Sequence, residues 1–422
     1  MTFIFKNYGY DRATKTAWFE YAHSNAHVYR EELQFDNVDD NYNQEAFDRS
    51  LFLSFLLVGT SYYKCFPAQD VVFDAGKIDA WQADFLNHVY QEGMSQFAFE
   101  NNLTRQDLAH YSSTDDTVIS KTEYTGTGTL SLQSGGKDSL LVAQLLEEKG
   151  IQYDAWYVSN GPAYPHVLDR LKADVLVAHR RIDIAAINRA IKAGGMNGHV
   201  PVTYIVLGYA LLQAILLNKQ TILAAIAHEG DEQHDWIDDL PVNHQWSKTW
   251  QAEQLFAEYV SRYVATGIQI GSPLRNITEL RLTELFSEHA WRRFGDAFSS
   301  CNIGNYKQGA DNTQLTWCGE CPKCANAYLL FAPFITKNEL DGRVGGDLLA
   351  KPMLTNTFKG LLGIDGVMKP FECVGEVDEL RLAYQMAIKR GYSVLPFNVP
   401  SSRFDYAVEY PGQELLTSMV SW

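Results

Sequence analysis

The sequence lacks the features of a secreted or membrane-embedded chain. Its longest apolar segment, residues 204–217, is shorter than a membrane span and contains Gln213. The start, MTFIFKNYGYDR, has no basic region followed by a long apolar stretch, so it does not resemble a secretory signal. Cysteine is scarce, with 6 in 422 residues, and three of these crowd together in WCGECPKC. This usage suits a reducing compartment and a metal site better than a disulfide framework. We therefore expect a soluble, cytoplasmic protein.

Basic residues are also few relative to acidic ones. The chain has 35 Lys and Arg against 51 Asp and Glu, which gives a net charge of -16. This balance argues against a nucleic-acid partner or an anionic membrane surface, although a local basic pocket is compatible with it. At 422 residues the chain exceeds one average domain, so we expect more than one.

A Walker A loop is absent, because no Gly-x-x-x-x-Gly-Lys-Ser/Thr spacing occurs. In its place, residues 131–146 read SLQSGGKDSLLVAQLL. Leu130 and Leu132 alternate as in a strand, a Gly-Gly turn follows, and helical spacing begins at Ser139. The pattern predicts a strand that leads through a loop into a helix, and such a helix start is suited to binding phosphate.

The residue types in this loop also suit the binding of an oxyanion. Its two glycines lack a Cβ, so the backbone can turn tightly and approach the ligand. Two hydroxyls, one ammonium group and the free N–H groups of the helix can bind the anion, while the aspartate is suited to Mg²⁺ or to helix-terminus electrostatics. The candidate residues for nucleotide binding are Ser134, Gly135, Gly136, Lys137, Asp138 and Ser139.

This loop resembles the Ser-Gly-Gly-x-Asp-Ser loop of the PP-loop ATP pyrophosphatase superfamily, since SGGKDS matches each fixed position. The resemblance implies cleavage of ATP between its α and β phosphates, with release of an adenylylated substrate and pyrophosphate. It also implies an α/β fold with a doubly wound parallel sheet of the adenine nucleotide alpha hydrolase type.

Strands alternate with helical segments from Gly126 onwards, which is typical of a parallel sheet with crossover helices. We predict a PP-loop catalytic domain at residues 126–338 that includes a cysteine-rich metal site. A small α+β module at residues 1–125 precedes it, in which the alternating segments 2–8, 16–21 and 28–35 suggest a small antiparallel sheet. A C-terminal segment at residues 339–422 follows it and is expected to pack on the active site.

Ligands in such sheets gather outside the carboxyl ends of the strands. Tyr157 and Ser159 lie at the carboxyl end of the predicted strand 153–158, so we expect the adenine of ATP near them. Arg180 and Arg181 follow the next predicted strand, 175–178, where they are either phosphate or substrate ligands or a solvated basic turn.

Four cysteines form a candidate metal site. Cys318, Cys321 and Cys324 are each three positions apart, and Cys301 lies 17 positions before the first of them. Such spacing lets a tight turn direct several thiolates at one ion, and a fourth sulfur closes a tetrahedron. We predict a structural Zn²⁺ that anchors the irregular segment 302–317, with an iron–sulfur cluster as the alternative.

Further motifs extend the resemblance over almost the whole chain. Together with the loop and the cysteines, they are similar to the UDP-N-acetyl-muramoyl-L-alanyl-L-glutamate epimerases. These motifs are GTSYYKCFP (59–67), NGHVP (197–201), VNHQWSK (242–248), PLRNITELRL (273–282), SCN (300–302) and KPFECVG (369–375). One departure is AHEGDEQH at 227–234, where His228 and Glu229 stand in place of an expected Asn-Glu pair.

The resemblance implies ATP- and Mg²⁺-dependent inversion of the terminal L-glutamate of a UDP-muramoyl dipeptide, a cell-wall precursor. Adenylylation has a physical purpose here. An α-proton beside a carboxylate is hard to remove, because the carbanion would be a second negative charge next to the first. The acyl-adenylate has lost the carboxylate charge, and its carbonyl can accept the new charge as an enolate.

Several residues are candidates for the proton transfer or for stabilising the enolate. The thiolate of Cys373 can move a proton where a cation such as Lys369 lowers its pKa, although an isolated cysteine is also a common buried hydrophobe. Cations could stabilise the enolate or bind the γ-carboxylate, or form ordinary salt bridges. The candidates for the proton transfer are Cys373 and Glu372, with His199, His244 and Glu229 behind them. The candidate cations are Lys248 and Arg275.

Two other functions are compatible with parts of the sequence. The first is a carboxylate-adenylylating ligase resembling 7-cyano-7-deazaguanine synthase, which shares the loop and the cysteine spacing but leaves residues 1–125 and KPFECVG unexplained. The second is a nucleotide-binding sensor without turnover, against which the intact SGGKDS loop argues.

Overall fold

The computed structural model describes residues 1–115, 120–161, 163–305 and 313–421. Part of the segment that the metal was predicted to anchor, residues 306–312, lies outside this description. The strands are β1 (Thr2–Asp11), β2 (Thr16–His23), β3 (Val28–Phe35), β4 (Asp70–Phe73), β5 (Thr129–Leu132), β6 (Asp154–Ser159), β7 (Val175–Arg181), β8 (Thr221–Leu223), β9 (Asp235–Ile237), β10 (Leu240–Val242) and β11 (Gln269–Gly271).

The helices fall between and after these strands. They are α1 (Gln44–Val58), α2 (Thr60–Tyr63), α3 (Ala80–Asn87), α4 (Ser95–Glu100), α5 (Lys137–Glu148), α6 (Ile184–Lys192), α7 (Val202–Leu216), α8 (Trp250–Tyr259), α9 (Glu279–Leu285), α10 (Trp291–Phe294), α11 (Asn302–Asn305), α12 (Pro322–Phe331), α13 (Lys337–Val344), α14 (Thr355–Leu361), α15 (Val377–Lys389) and α16 (Glu414–Thr417). In the described part of the chain, no helix combines the length and the apolar character that crossing a bilayer requires.

Nine strands of the described residues form one sheet, in the order β11-β8-β5-β6-β7-β3-β2-β1-β4. The five strands from β11 to β7 pair in parallel. The pairs β7–β3, β3–β2 and β2–β1 are antiparallel, and β4 is parallel to β1. The mixed α/β fold with a large, mostly parallel sheet was therefore predicted correctly.

The N-terminal strands extend this sheet instead of forming one of their own. Antiparallel β3 pairs with β7, so that Leu33 lies opposite Arg180 and Gln34 opposite His179. The alternation in residues 1–35 correctly predicts antiparallel strands, but it carries no information about which outer strand they join. The boundaries of the three proposed domains stay a prediction.

Hydrophobic side chains cover both faces of the parallel strands. Trp156 and Ile222 belong to a core that also contains α1 and α7, whereas the neighbouring Ala155 and Leu223 belong to a second core with α5 and α12. Successive strand residues point to opposite faces, so a strand buried on both sides is apolar along its length. Helical spacing over residues 44–58 and 377–389 predicts α1 and α15 with the bounds that they have.

The order of the strands positions the site. The chain goes from β5 to β6 and β7 on one side, then returns to β8 and β11 on the other. Such a reversal leaves a crevice outside the carboxyl ends of the strands. β8 ends at Leu223, sooner than its apolar pattern to Ala227 predicts, because Ile226 donates its N–H to the Ser272 hydroxyl (3.0 Å). The segments after β5, β8 and β11 meet at this crevice.

Candidate active site

The loop after β5 brings polar groups together at the start of α5. Gly135 has a φ of +77°, and a Cβ there would lie 2.6 Å from Leu315 Cδ1, so only glycine fits without strain. The Ser134 N–H donates to the Ser139 hydroxyl (3.3 Å), and the two hydroxyl oxygens lie 3.5 Å apart. The Gly136 N–H donates to Ser134 Oγ (3.4 Å). The predicted strand, loop and helix are all present.

Lys137 is buried between two carboxylates at this helix start. Its Nζ lies 2.5 Å from Asp138 Oδ1 and 3.0 Å from Glu279 Oε1, the first residue of α9. Burial alone lowers the pKa of a lysine, but Asp138 and Glu279 outweigh it and raise the pKa of Lys137 above its ordinary value. The ammonium group is therefore charged, and it joins the loop to α9.

Glu229, which follows β8, faces both lysines of the site. Burial, with the negative charges of Glu279 and Asp138, raises the pKa of Glu229 to about 8 against the opposing effect of Lys248 and Lys137. Among the described residues, the Oε2 atoms of Glu229 and Glu279 have no hydrogen-bond partner although both side chains are more than nine-tenths buried. Carboxylate oxygens of this kind are available to a cation.

Cys373 is held beside a cation and a histidine. Its Sγ lies 3.2 Å from Lys248 Nζ and 3.8 Å from His244 Nε2. Burial alone raises the pKa of a thiol, but Lys248 and Lys323 outweigh it and lower the pKa of Cys373. The sequence suggested Lys369 for this role, yet its ammonium group pairs with Glu232 instead. The thiol is therefore poised to ionise.

The segment around Cys373 is fixed by contacts from several elements. Gln245 Nε2 donates to Val374 O (3.3 Å), and Asn326 of α12 accepts from the Gly375 N–H (3.0 Å). The carboxylate of Glu372 accepts from Asn302 Nδ2 (2.5 Å). Burial raises the pKa of Glu372, although Lys323 opposes it. Two consecutive ionisable side chains are thus held at the same site.

Three histidines with depressed pKa lie together, and one of them, His244, contacts the thiol. The rings of His199 and His244 lie 4.6 Å apart, and those of His234 and His244 lie 6.3 Å apart. Burial, with nearby positive charge, lowers the pKa of each to about 3. All three are therefore neutral at physiological pH and can act as hydrogen-bond donors or acceptors.

The four predicted metal ligands lie together. Their sulfur atoms are all within 4.8 Å of one another. The distances are 3.7 Å for Cys301–Cys321, 3.7 Å for Cys318–Cys324 and 3.5 Å for Cys321–Cys324. A tetrahedron with metal–sulfur bonds of about 2.3 Å has edges of about 3.8 Å, so the thiols can hold one ion. An iron–sulfur cluster fits less well, because its cysteines bind different irons and lie further apart.

Tyr157, Ser159 and Arg180, which the sequence placed at the nucleotide, have other contacts. The Ser159 hydroxyl donates within its own turn, to Gly161 O and Ala163 O (both 2.8 Å). Tyr157 packs against the second core. Arg180 Nε donates to the buried Glu31 (2.6 Å), and its guanidinium also contacts the Ser61 hydroxyl (3.2 Å). Their roles at the nucleotide stay a prediction.

Replacing Arg180 with methionine is expected to destabilise the protein by about 3–5 kcal/mol, because it leaves the carboxylate of Glu31 buried without its cation. Replacing the neighbouring Arg181, an exposed residue paired with Glu32 at 3.7 Å, should change the stability by less than about 0.5 kcal/mol. Urea unfolding of the two variants measures the difference. A stable Arg180→Met protein with weakened ATP binding would instead support the nucleotide role.

Two other residues, Arg275 and His228, also make contacts within the protein. Arg275 is fully buried, and it pairs with Glu253 (2.9 Å) and donates to the carbonyls of Ala227 (2.9 Å) and Lys248 (2.8 Å). His228 stacks on Tyr410 with ring centroids 3.4 Å apart. Both join the loop after β8 to other segments and thereby support Glu229 and Lys248.

Three residues of the site were not predicted from the sequence. Glu279 and Lys323 lie inside motifs that were recognised, PLRNITELRL and WCGECPKC, but a motif does not say which way its side chains point. Gln96 of α4 contacts His244 with Oε1 2.6 Å from Nδ1. The mixture of aromatic and polar residues at 93–103 was its only signal, and such a mixture is more typical of aromatic packing than of ligand contact.

Known protein families are similar to this chain over most of its length. Residues 1–272 match the family model described as MurL N-terminal domain, and residues 297–393 match the one described as MurL C-terminal domain. Proteins named UDP-N-acetyl-alpha-D-muramoyl-L-alanyl-L-glutamate epimerase are similar to it. The one from Xanthomonas oryzae pv. oryzae is 30% identical over 82% of this chain and 76% of its own length. Those from Salinispora tropica and Micromonospora sp. are 29% and 30% identical, each over 91% of this chain and over 84% and 86% of their own lengths.

Proposed function

The chain belongs to the MurL family, and we propose that it inverts the terminal L-glutamate of UDP-N-acetylmuramoyl-L-alanyl-L-glutamate with ATP, through an acyl-adenylate. It is an epimerase, as its relatives are named. The product is a peptidoglycan precursor that ends in D-glutamate, and AMP and pyrophosphate are released.

One observation carries the mechanistic part of this proposal. Glu229 is close enough to both Lys137 and Lys248 for their charges to lower its pKa. Lys137 belongs to the SGGKDS loop, and Lys248 is the partner of Cys373 (3.2 Å). The SGGKDS loop and an ionisable thiol therefore lie around the same carboxylate, and this arrangement supports a reaction that activates a carboxylate and then removes the adjacent proton.

ATP binding is assigned to the loop and the start of α5. The N–H groups of the first turn and the Lys137 ammonium would bind the β and γ phosphates. Mg²⁺ fits Asp138 and Glu229, because carboxylate oxygens are its preferred protein ligands and Glu229 Oε2 has no partner among the described residues. Bound there, the ion would neutralise phosphate charge while the substrate carboxylate attacks the α-phosphorus.

The proton transfer is assigned to the segment of Glu372 and Cys373. The thiolate of Cys373 removes the α-proton of the acyl-adenylate, and the electron pair moves to the carbonyl oxygen as an enolate. The Lys248 ammonium, next to the sulfur, stabilises that negative charge. Inversion also needs a proton on the other face of the α-carbon. Glu372 is the candidate donor, because its raised pKa favours the protonated carboxyl. Water then hydrolyses the adenylate.

Zn²⁺ is the ion that we assign to Cys301, Cys318, Cys321 and Cys324. Four thiolates saturate its preferred tetrahedral geometry and leave no position for water, so its role is structural. The ion would hold α12 and the segment after Cys301 at the site. These two elements carry Lys323 and Asn302 to Glu372 and Cys373.

Replacing Cys321 with serine should therefore reduce the bound metal from about one ion per chain to less than a tenth of that and lower the unfolding temperature. Metal analysis of the purified protein and thermal unfolding measure the two effects. Cys65→Ser is the matched control, since Cys65 is equally buried but outside the cluster. A Cys321→Ser protein with unchanged metal content would contradict the assignment.

The proposed reaction is tested by one experiment in D₂O. Purified protein is given MgATP and UDP-N-acetylmuramoyl-L-alanyl-L-glutamate, and pyrophosphate and the chirality and deuterium content of the glutamate are measured. We expect substrate-dependent pyrophosphate and deuterated D-glutamate. UDP-N-acetylmuramoyl-L-alanine, which lacks the glutamate, is the control and should release none. Pyrophosphate without inversion would support an adenylylating ligase, and neither product would contradict the proposal.

A further inference from the structure

A chain of contacts runs from helix α4 to the thiol of Cys373. Gln96 Nε2 donates to Glu100 Oε1 (2.8 Å), and Gln96 Oε1 lies 2.6 Å from His244 Nδ1. His244 Nε2 in turn lies 3.8 Å from Cys373 Sγ. Both α4 and Cys373 are thus linked to the same imidazole ring from opposite sides.

The chemistry of these groups determines the direction of each hydrogen bond. The amide nitrogen of Gln96 donates to the side-chain oxygen of Glu100, so its amide oxygen is the atom that faces His244. That oxygen only accepts, so the proton of the neutral imidazole is on Nδ1. Nε2 then carries a lone pair, and this lone pair faces the sulfur of Cys373. Burial lowers the pKa of His244 to about 3, so the ring is neutral when the reaction begins.

We propose that Gln96 is a positioning residue for the inversion, because it holds His244 as a hydrogen-bond acceptor towards Cys373. This inference rests on the proposed function. An acceptor beside the sulfur offers no hydrogen bond to the thiolate, which is therefore a stronger base. When the α-carbon–hydrogen bond breaks and the sulfur–hydrogen bond forms, the new S–H has Nε2 as its partner. The contact becomes favourable only as the proton is transferred, which lowers the barrier.

The opposite tautomer would have the opposite effect. An N–H on Nε2 would donate to the thiolate in the ground state and lower its basicity, and this bond would be lost as the sulfur takes the proton. Other charged or titratable groups also act on the pair, and they would do so in either tautomer. They are Lys248, Lys323, Glu279 and Glu372 around Cys373, and Lys248, Lys323, Glu100, His199 and His234 around His244.

The tautomer is measured directly on the full-length protein without substrate. Two-bond ¹H–¹⁵N spectra of ¹⁵N-histidine protein distinguish Nδ1–H from Nε2–H, and the signals of His244 are assigned by their loss in His244→Gln. We expect Nδ1–H in the wild type and a population of Nε2–H in Gln96→Leu. A wild-type His244 protonated on Nε2 would overturn the inference, whether or not any variant folds.

Two functional readouts complete the test. In Gln96→Leu, the pH midpoint for alkylation of Cys373, followed by peptide mass spectrometry, should fall by about one pH unit. At the same time, kcat for inversion should fall about tenfold with KM for the UDP-muramoyl dipeptide within about twofold. Gln91→Leu removes an equally buried glutamine from the same region and should change neither value. A Gln96→Leu protein with both values unchanged would contradict the proposal. The alkylation and the spectra need no turnover, so they separate this inference from the proposed reaction.

Discussion

Replacing Cys373 with serine is expected to lower the rate of inversion by about 10²- to 10⁴-fold, the range for losing a general base. A serine hydroxyl beside Lys248 has no accessible ionised form near neutral pH, so it cannot take the α-proton. Adenylylation does not use the thiol, so substrate-dependent pyrophosphate release should stay within about threefold of the wild type. The measurement is the D₂O assay with both products followed, and the glutamate recovered should be undeuterated and of L configuration.

The matched control is Cys65→Ser, which removes a buried thiol outside the site and should leave inversion unchanged. The pH profile gives a second test. Because the thiolate is the active form, inversion should rise with pH through the pKa of Cys373, which Lys248 and Lys323 keep below that of a free thiol. Lys248→Met removes this stabilisation, so the acid limb should move to higher pH. Equal loss of inversion and pyrophosphate release in Cys373→Ser would contradict the assignment of the base.

Replacing Asp138 with asparagine is expected to lower both pyrophosphate release and inversion by about 10²- to 10³-fold, the range for removing an electrostatic contact to the transition state. The substitution keeps the shape of the side chain but removes the charge proposed to bind Mg²⁺. Lys137 keeps its contact with Glu279 (3.0 Å), so the fold should be preserved. The two rates should fall together, because inversion requires the adenylate. Initial rates over a range of Mg²⁺ concentrations measure the effect.

Asp154→Asn serves as its control. Asp154 is also paired with a lysine, Lys219 at 2.6 Å. It is the first residue of β6, so it lies at the amino-terminal ends of the parallel strands, away from the crevice at their carboxyl ends. This variant should turn over at the wild-type rate with the same Mg²⁺ dependence. Retention of pyrophosphate release in Asp138→Asn would show that the loop aspartate does not support the adenylylation step.

The two predictions divide the site into two parts. Asp138 belongs to the loop after β5 and is proposed to act in the step that uses ATP, whereas Cys373 belongs to the segment before α15 and is proposed to move the proton. Glu229 lies between them, with a pKa raised to about 8 by burial and by neighbouring carboxylates. A change of charge in either part therefore alters the electrostatic environment of the other. The effects of the two substitutions should not be additive in the double variant.

The elements with strong local patterns were predictable from the sequence. Helices α1 and α15 have the predicted bounds, because their apolar residues repeat with helical spacing between polar flanks. The strand, loop and helix around SGGKDS form as predicted, since Gly135 occupies a left-handed conformation that only glycine adopts without strain. The cysteines were grouped correctly because three of them lie within one turn and its following helix.

The sequence could not identify the partners of charged side chains across the fold. Arg180 resembles a phosphate ligand at the end of β7, but antiparallel pairing with β3 places it beside Glu31 (2.6 Å). Lys369 lies close to Cys373 in the chain, yet the cation at the thiol is Lys248, 125 positions away. Contacts between residues so distant in sequence depend on the order of strands in the sheet, which local patterns do not contain.

The sequence by itself therefore determined the class of fold, the strand, loop and helix around SGGKDS, the grouping of the four cysteines and the family, since each rests on short-range spacing or on similarity along the chain. Only the tertiary structure decided which ionisable groups meet. Segments after β5, β8 and β11 come together with the one before α15, and burial at that point shifts the pKa of Glu229 and of the histidines around Cys373. Such shifts arise from removal of water and from nearby charges, and both exist only when the chain has folded.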